Sequence, residues 1–216
     1  MPKPSTATPA VGRPRRFDDD TERRMLVSAA IRVLARTDTL SVGDVLLEAG
    51  LSTRAFYRHF DSKEALLETL MLREAVSVAR SLEQVVAQAP DPVAAVEAWL
   101  SRFLEVFYEP RRAARAAALS SAAFRVSRPS AEMMSEMRRM SFAPLIEALR
   151  AGHAAGVLHS PTPEADGFSL YNLVNASREA SDGGETDRAT TMAHVVRFAW
   201  PALRLGGAGN RSGAGA

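Results

Sequence analysis

The side chains best suited to chemistry are concentrated between Ser41 and Lys63, in the run Ser-Val-Gly-Asp-Val-Leu-Leu-Glu-Ala-Gly-Leu-Ser-Thr-Arg-Ala-Phe-Tyr-Arg-His-Phe-Asp-Ser-Lys. Hydroxyl, guanidinium, phenol, imidazole and ammonium groups follow one another at short intervals there. All of them donate hydrogen bonds, which suits phosphate oxygens and the edges of bases. Val45, Ala49, Leu51, Ala55, Phe56 and Phe60 are spaced to bury inward from two short helices. That leaves Thr53, Arg54, Tyr57, Arg58, His59 and Lys63 facing out. Gly50 supplies the positive φ that a tight turn between the helices requires. Ser41 and Ser52 are good N-caps, and Asp44, three residues after Ser41, is a capping-box-like partner. Two short helices joined through Ala49-Gly50-Leu51-Ser52 have the spacing of a DNA-binding helix-turn-helix.

Arrangements for catalysis are absent from the sequence. His59, His153, His159 and His194 form no His-Glu-x-x-His or other pair with metal-ligand spacing, and there is neither a Gly-rich phosphate loop after a strand nor a Gly-x-Ser-x-Gly. With no cysteine, disulfides, thiolate chemistry and cysteine-based zinc sites are excluded. The expectation is a protein that is not an enzyme and needs no cofactor and no metal.

The elements that must position the Ser41–Lys63 run are helical. The chain has 216 residues, 46% hydrophobic and 24% charged, and no apolar run of membrane-spanning length, as in a soluble, cytoplasmic protein. Its pI of about 9.4 overstates its basicity, because the net charge is only +2 and few groups titrate above neutrality. The distribution is more telling. Residues 65–216 are neutral overall, and the excess sits at the front, where Lys3, Arg13, Arg15 and Arg16 meet no acid. Residues 1–17 read as a disordered arm and residues 206–216 as a Gly-rich flexible tail. The core Gly12-Arg13-Pro14-Arg15-Arg16 is similar to the AT-hook, whose arginines lie in a narrow minor groove. A solvated charged tail is the alternative, and the sequence leaves both open.

Between these ends the apolar spacing predicts helices and no strands. Met25, Leu26, Ala29, Ala30, Val33 and Leu34 mark a first helix over about 20–36. Short helices follow over about 41–49 and 53–60, and a long one runs from Ser62 to about Ala89. Further helices are predicted over 92–108, 110–125, 130–155, 162–180 and 186–205. Pro144 is expected to kink or split the seventh.

At this point the resemblance to TetR-type regulators is clear. Ala49-Gly50-Leu51-Ser52, Phe56-Tyr57-Arg58-His59-Phe60 and Ser62-Lys63-Glu64-Ala65-Leu66-Leu67 resemble the family signature, and the likeness covers residues 20–70 closely. It implies an all-α fold of about nine helices. Residues 18–64 would form a three-helix DNA-binding domain and residues 65–205 a ligand-binding and dimerisation domain. It also implies that the helix beginning near Ser52 enters the major groove with Thr53, Arg54 and Ala55 at its leading end. Tyr57, His59 and Lys63 would touch phosphates, and Ser41 would add another contact. Two positions depart from the pattern. Leu46 replaces a small residue at the helix crossing and is expected to alter the crossing angle. Arg54 replaces a small residue and is either a guanine reader or else a phosphate contact or a solvated side chain.

For the second half, the resemblance implies a small-molecule effector and a homodimer. Trp99, Phe103, Phe107, Met133, Met137, Met140 and Tyr171 are candidate ligand contacts, Asn172 and Asn175 candidate orienting groups. Each has an ordinary core or surface role as its alternative. Leu170, Leu173, Val174, Val195, Val196, Phe198, Ala199 and Trp200 are candidates for a four-helix dimer interface, or else they pack within one chain. The function expected is a repressor that binds a palindromic duplex and is released by its effector. An architectural DNA-binding protein and a helical partner-binding module are the readings from other classes.

Overall fold

In a computed structural model, residues 18–37, 39–109, 119, 130–179 and 187–204 are described. These form eight helices and no strand: α1 (Asp19–Thr37), α2 (Val42–Ala49), α3 (Thr53–His59), α4 (Lys63–Ala87), α5 (Pro92–Tyr108), α6 (Ala131–Ala154), α7 (Pro163–Glu179) and α8 (Arg188–Leu203). The arm, the tail and the helix expected over 110–125, apart from Leu119, lie outside the described residues. No described helix is long and apolar enough to cross a membrane.

Side-chain caps fix where most helices start. The Asp18 carboxylate accepts the Thr21 N–H at 2.7 Å. Ser41, Ser52, Ser62, Asp91, Ser130 and Asp187 each accept an N–H from the residue three further on. The Ser41 hydroxyl also donates to the Asp44 carboxylate at 2.5 Å, so Asp44 reaches the cap's side chain instead of its backbone. Pro144 does not split α6, which is continuous from Ala131 to Ala154. The carbonyl left without its helical donor by Pro144 is that of Met140; the next one, on Ser141, accepts the Trp99 indole N–H at 2.9 Å.

Burial falls into two clusters. The first joins α1, α2 and α3 to the opening turns of α4 through Leu26, Val33, Val45, Phe56, Phe60, Leu66 and Leu70, with Leu119 seated on it. The second joins the far part of α4, from Leu82, to α5, α6, α7 and α8. Leu46 packs partly buried against the first cluster. α4 is the one described helix that contributes buried residues to both.

Candidate nucleic-acid interface

α3 has seven residues, too few to be stable alone, so its orientation comes from its neighbours. Gly50, at φ 65°, ends α2, and the Leu51 N–H returns to the Leu46 carbonyl at 3.2 Å. That turn carries the chain to Ser52, whose hydroxyl accepts the Ala55 N–H at 3.3 Å. Phe56 and Phe60 then anchor α3, 5.8 Å apart between ring centroids. α2 is held to α1 by Glu48, which takes Arg32 and Arg36 at 2.6 Å each. These guanidinium hydrogen bonds, Arg32 first, hold the Glu48 carboxyl below the usual carboxylate range.

Thr53, Arg54 and Tyr57 are the exposed face of α3, with Tyr57 standing edge-on to Phe56 at 5.3 Å. Ser41 and Ser52 are exposed at the heads of α2 and α3. Lys63 is the first residue of α4, behind the Ser62 cap. Glu64 lies beside it, its carboxyl lowered by its own backbone N–H, then by the Ser62 hydroxyl and the Lys63 charge. Ser41, Ser52, Thr53, Arg54 and Lys63 lie at the N-terminal ends of three successive helices, where N–H groups and the helix dipole favour an anion, and Tyr57 lies one turn further along α3.

Three residues predicted to join them sit differently. Ala55 is buried at 6% exposure among the residues that lock α3 down. Arg58 turns onto α1, where its guanidinium bonds the Glu22 carboxylate and lies 3.3 Å from Asp19. The His59 ring is not outward: Nε2 is 3.2 Å from the same Glu22 oxygen and the side chain is 8% exposed. The cause is Glu22, a carboxylate only 6% exposed. A buried charge needs compensation, and α3 provides it. Sequence reasoning missed Glu22. The signal available was the acidic run from Asp18 to Glu22, a pattern that a helix start favours for its dipole alone. Asp19, Glu22 and His59 bring metal-ligand atoms within 4.8 Å of one another. Arg58 already lies against both carboxylates and supplies the positive charge there. Arg13, Arg15 and Arg16 lie outside the described residues.

In the second cluster, Trp99 stacks on Phe103 at 4.8 Å, and Phe103 meets Phe107 and Tyr171 at 5.4 Å each. Phe142 closes the group, 4.6 Å from Tyr171. Trp99 and Phe103 are core, at 0% and 6% exposure, while Phe107 and Tyr171 are partly buried. Met133, Met137 and Met140 are partly exposed along α6. Asn172 is exposed, and its amide donates to the Phe168 carbonyl at 3.0 Å, which turns it back on its own helix. The partly buried Asn175 does the same to the Tyr171 carbonyl at 3.0 Å.

Of the residues predicted at a dimer interface, Leu170, Val174, Val195, Ala199 and Trp200 are buried within the single chain. Leu173 and Val196 are partly buried, and Phe198 is 55% exposed. Phe168, not among those predicted, is 50% exposed on α7. Both helices carry apolar residues on more than one face, so the stripe alone could not say which face turns inward.

The geometry around α3 is that of a helix-turn-helix. Residues 26–70 match the model of the bacterial regulatory proteins of the tetR family. A search of the curated proteins finds no match. Among solved structures, the chain is similar to a TetR-family transcriptional regulator from Mesorhizobium loti MAFF303099, with a TM-score of 0.67 and 16% identity over 88% of this chain and all of that one. It is similar also to one from Marinobacter aquaeolei VT8 (TM-score 0.54, 22% identity, 86% of this chain and 97% of that one). A third is the flavonoid-responsive regulator FrrA (TM-score 0.60, 19% identity, 86% and 98%). At such identities these are likenesses of fold. The match over residues 26–70 and these likenesses of fold point the same way, to TetR-type regulators.

Proposed function

We propose that the chain acts as a homodimeric repressor, which sets its two α3 helices into successive major grooves of a palindromic operator and is released by a small molecule. The observation that carries this reading is the exposed face of α3, where Thr53, Arg54 and Tyr57 stand free beside the Ser41, Ser52 and Lys63 helix starts. Arg54 is assigned to a base edge, since a guanidinium at the head of a recognition helix reaches guanine bidentately. Lys63, Tyr57 and Ser41 are assigned to phosphates, and Arg58 and His59 to holding α3 against Glu22. Arg13, Arg15 and Arg16 are assigned to the adjacent minor groove.

The DNA-binding domain is taken as residues 18–64 and the effector and dimer domain as 65–205. The dimer is assigned to the outward faces of α7 and α8, where Phe168 and Phe198 are half exposed. The effector is assigned to the side of the aromatic group reached through Phe107, Tyr171 and the α6 methionines, with Trp99 and Phe103 beneath. That FrrA is flavonoid-responsive supports an effector with flat rings. α4 connects the two sites, and an effector that favours one setting of α4 changes the separation of the two α3 helices. The half-sites are then expected about one turn apart, roughly 34–36 Å.

Selection of bound duplexes from a random pool at near-physiological salt tests this. One recovered palindrome supports the reading. Tight, salt-sensitive binding without a motif replaces it with an architectural role, and no binding replaces it with a partner-binding module. In the same assay Lys63→Ala is expected to weaken all sequences alike and reduce the salt slope by about one.

A further inference from the structure

Between α1 and α4 lies an open groove of about 870 Å³ that the DNA-binding and effector assignments do not use. Its volume falls in the range of small-molecule sites. Four guanidiniums line it, Arg23 and Arg24 from α1 and Arg73 and Arg80 from α4, against one carboxylate, Asp20. Arg23 is placed over the Phe60 ring at 5.3 Å and Arg24 donates to the Thr21 hydroxyl at 2.8 Å. Neither contact is with a carboxylate, though the Arg24 charge is also felt by Asp18, whose carboxyl it helps to lower. Among the described residues, Arg73 and Arg80 have no ion-pair partner. Like charges sharing one groove repel, and the arrangement is relieved by an anion.

The chemistry of that anion can be narrowed. Guanidinium forks match phosphate oxygens in geometry and charge. Arg73 and Arg80 stand seven residues apart on α4, about 10 Å along the helix, a separation that a chain of phosphates matches better than a single one. Leu72 and Val76 add apolar surface to the same lining, and Leu72 is 42% exposed. A chain of phosphates attached to a flat apolar group satisfies both features. On α4 the groove begins six residues beyond Lys63, about 9 Å along the helix.

We propose that the α1–α4 groove is a binding site for a phosphorylated small molecule of the nucleoside-polyphosphate class. Its position gives it a regulatory consequence. α1 belongs to the first cluster, whereas the stretch of α4 in the groove runs from the first cluster to the second. A ligand spanning both walls ties the helix-turn-helix to one setting of α4, and any unequal affinity for the free and DNA-bound settings appears as a change in DNA affinity.

The test is calorimetric titration of the full chain without DNA, so that its outcome is independent of operator recognition. The probes are ATP and sodium tripolyphosphate, each in chelator, with sodium sulfate at equal ionic strength as control. Saturable binding of both phosphates, tighter than sulfate, is expected, with ATP the tighter if the apolar surface is used. Arg73→Gln with Arg80→Gln is expected to weaken binding by about tenfold or more, through loss of charge-assisted hydrogen bonds, with the thermal midpoint unchanged. Binding no tighter than sulfate, or undiminished in the double variant, overturns the proposal. So does a double variant that loses DNA affinity with no phosphate present, because the groove is then a DNA contact.

Discussion

Around α3 a buried carboxylate, Glu22, is met by a guanidinium and an imidazole, whereas around α5 neutral rings make the corresponding contacts. There Trp99 stacks on Phe103, its N–H bonds the Ser141 carbonyl, and the Tyr108 hydroxyl lies 2.7 Å from that of the buried Thr191. The two arrangements fail differently. Taking one partner from the first leaves an uncompensated charge, while taking one from the second leaves a void. A short helix that must present a fixed face to a ligand benefits from the first kind of tie, which is directional and intolerant of substitution. A core that relies on shape tolerates exchange among apolar side chains of similar volume.

The largest expected effect is therefore on the ring side. Trp99→Ala removes the largest fully buried side chain and is expected to cost about 3–5 kcal/mol in chemical denaturation. A loss under about 1 kcal/mol would mean that the aromatic group is not the centre of the second cluster.

Glu22→Ala comes next and addresses the charged side. It leaves His59 and Arg58 without their shared partner, though Asp19 still faces Arg58, so a loss of about 2–3 kcal/mol is expected, below the range for a fully buried pair. DNA affinity should fall with it because α3 loses its tie to α1. Unchanged affinity in a folded variant would show that Phe56 and Phe60 alone orient α3.

Gly50→Ala should cost about 1–2 kcal/mol, the strain of a left-handed residue with a Cβ. No atom lies within 4 Å of the added carbon, so crowding adds nothing. Asn at position 50 should recover much of the loss.

The smallest effect concerns exposed carboxylates in both halves. The Thr21 backbone N–H holds the Asp18 carboxyl below the usual range, and the Thr190 N–H does the same for Asp187. A carboxyl lowered by folding stabilises the protein above its unfolded pKa, about 4, and the contribution is lost as pH falls through the lower folded value. The denaturation midpoint should decline only slightly between pH 5 and pH 3 from these groups, and mutating either to Asn should remove its share.

What the sequence makes legible follows the range of the interaction involved. The caps Ser41, Ser52 and Ser62, the turn at Gly50 and the inward set Val45, Phe56 and Phe60 are decided within a few residues, and they stand where spacing put them. The orientation of His59 is decided by Glu22, 37 positions away, and no local pattern carries that information. In α7 and α8, Leu170 and Phe168 are equally apolar, and only the packing of α5 and α6 determines which of them is covered.

The placement of the tryptophans has an optical consequence. The chain has two, Trp99 and Trp200, and both belong to the second cluster. Selective excitation of indole therefore watches the distal helices and is blind to the helix-turn-helix, whereas the helical circular dichroism sums over both. Superimposable melting traces from the two signals would mean that α4 transmits cooperativity from one end of the molecule to the other, and a dichroism loss that precedes the emission change would separate the two units into independent melting steps.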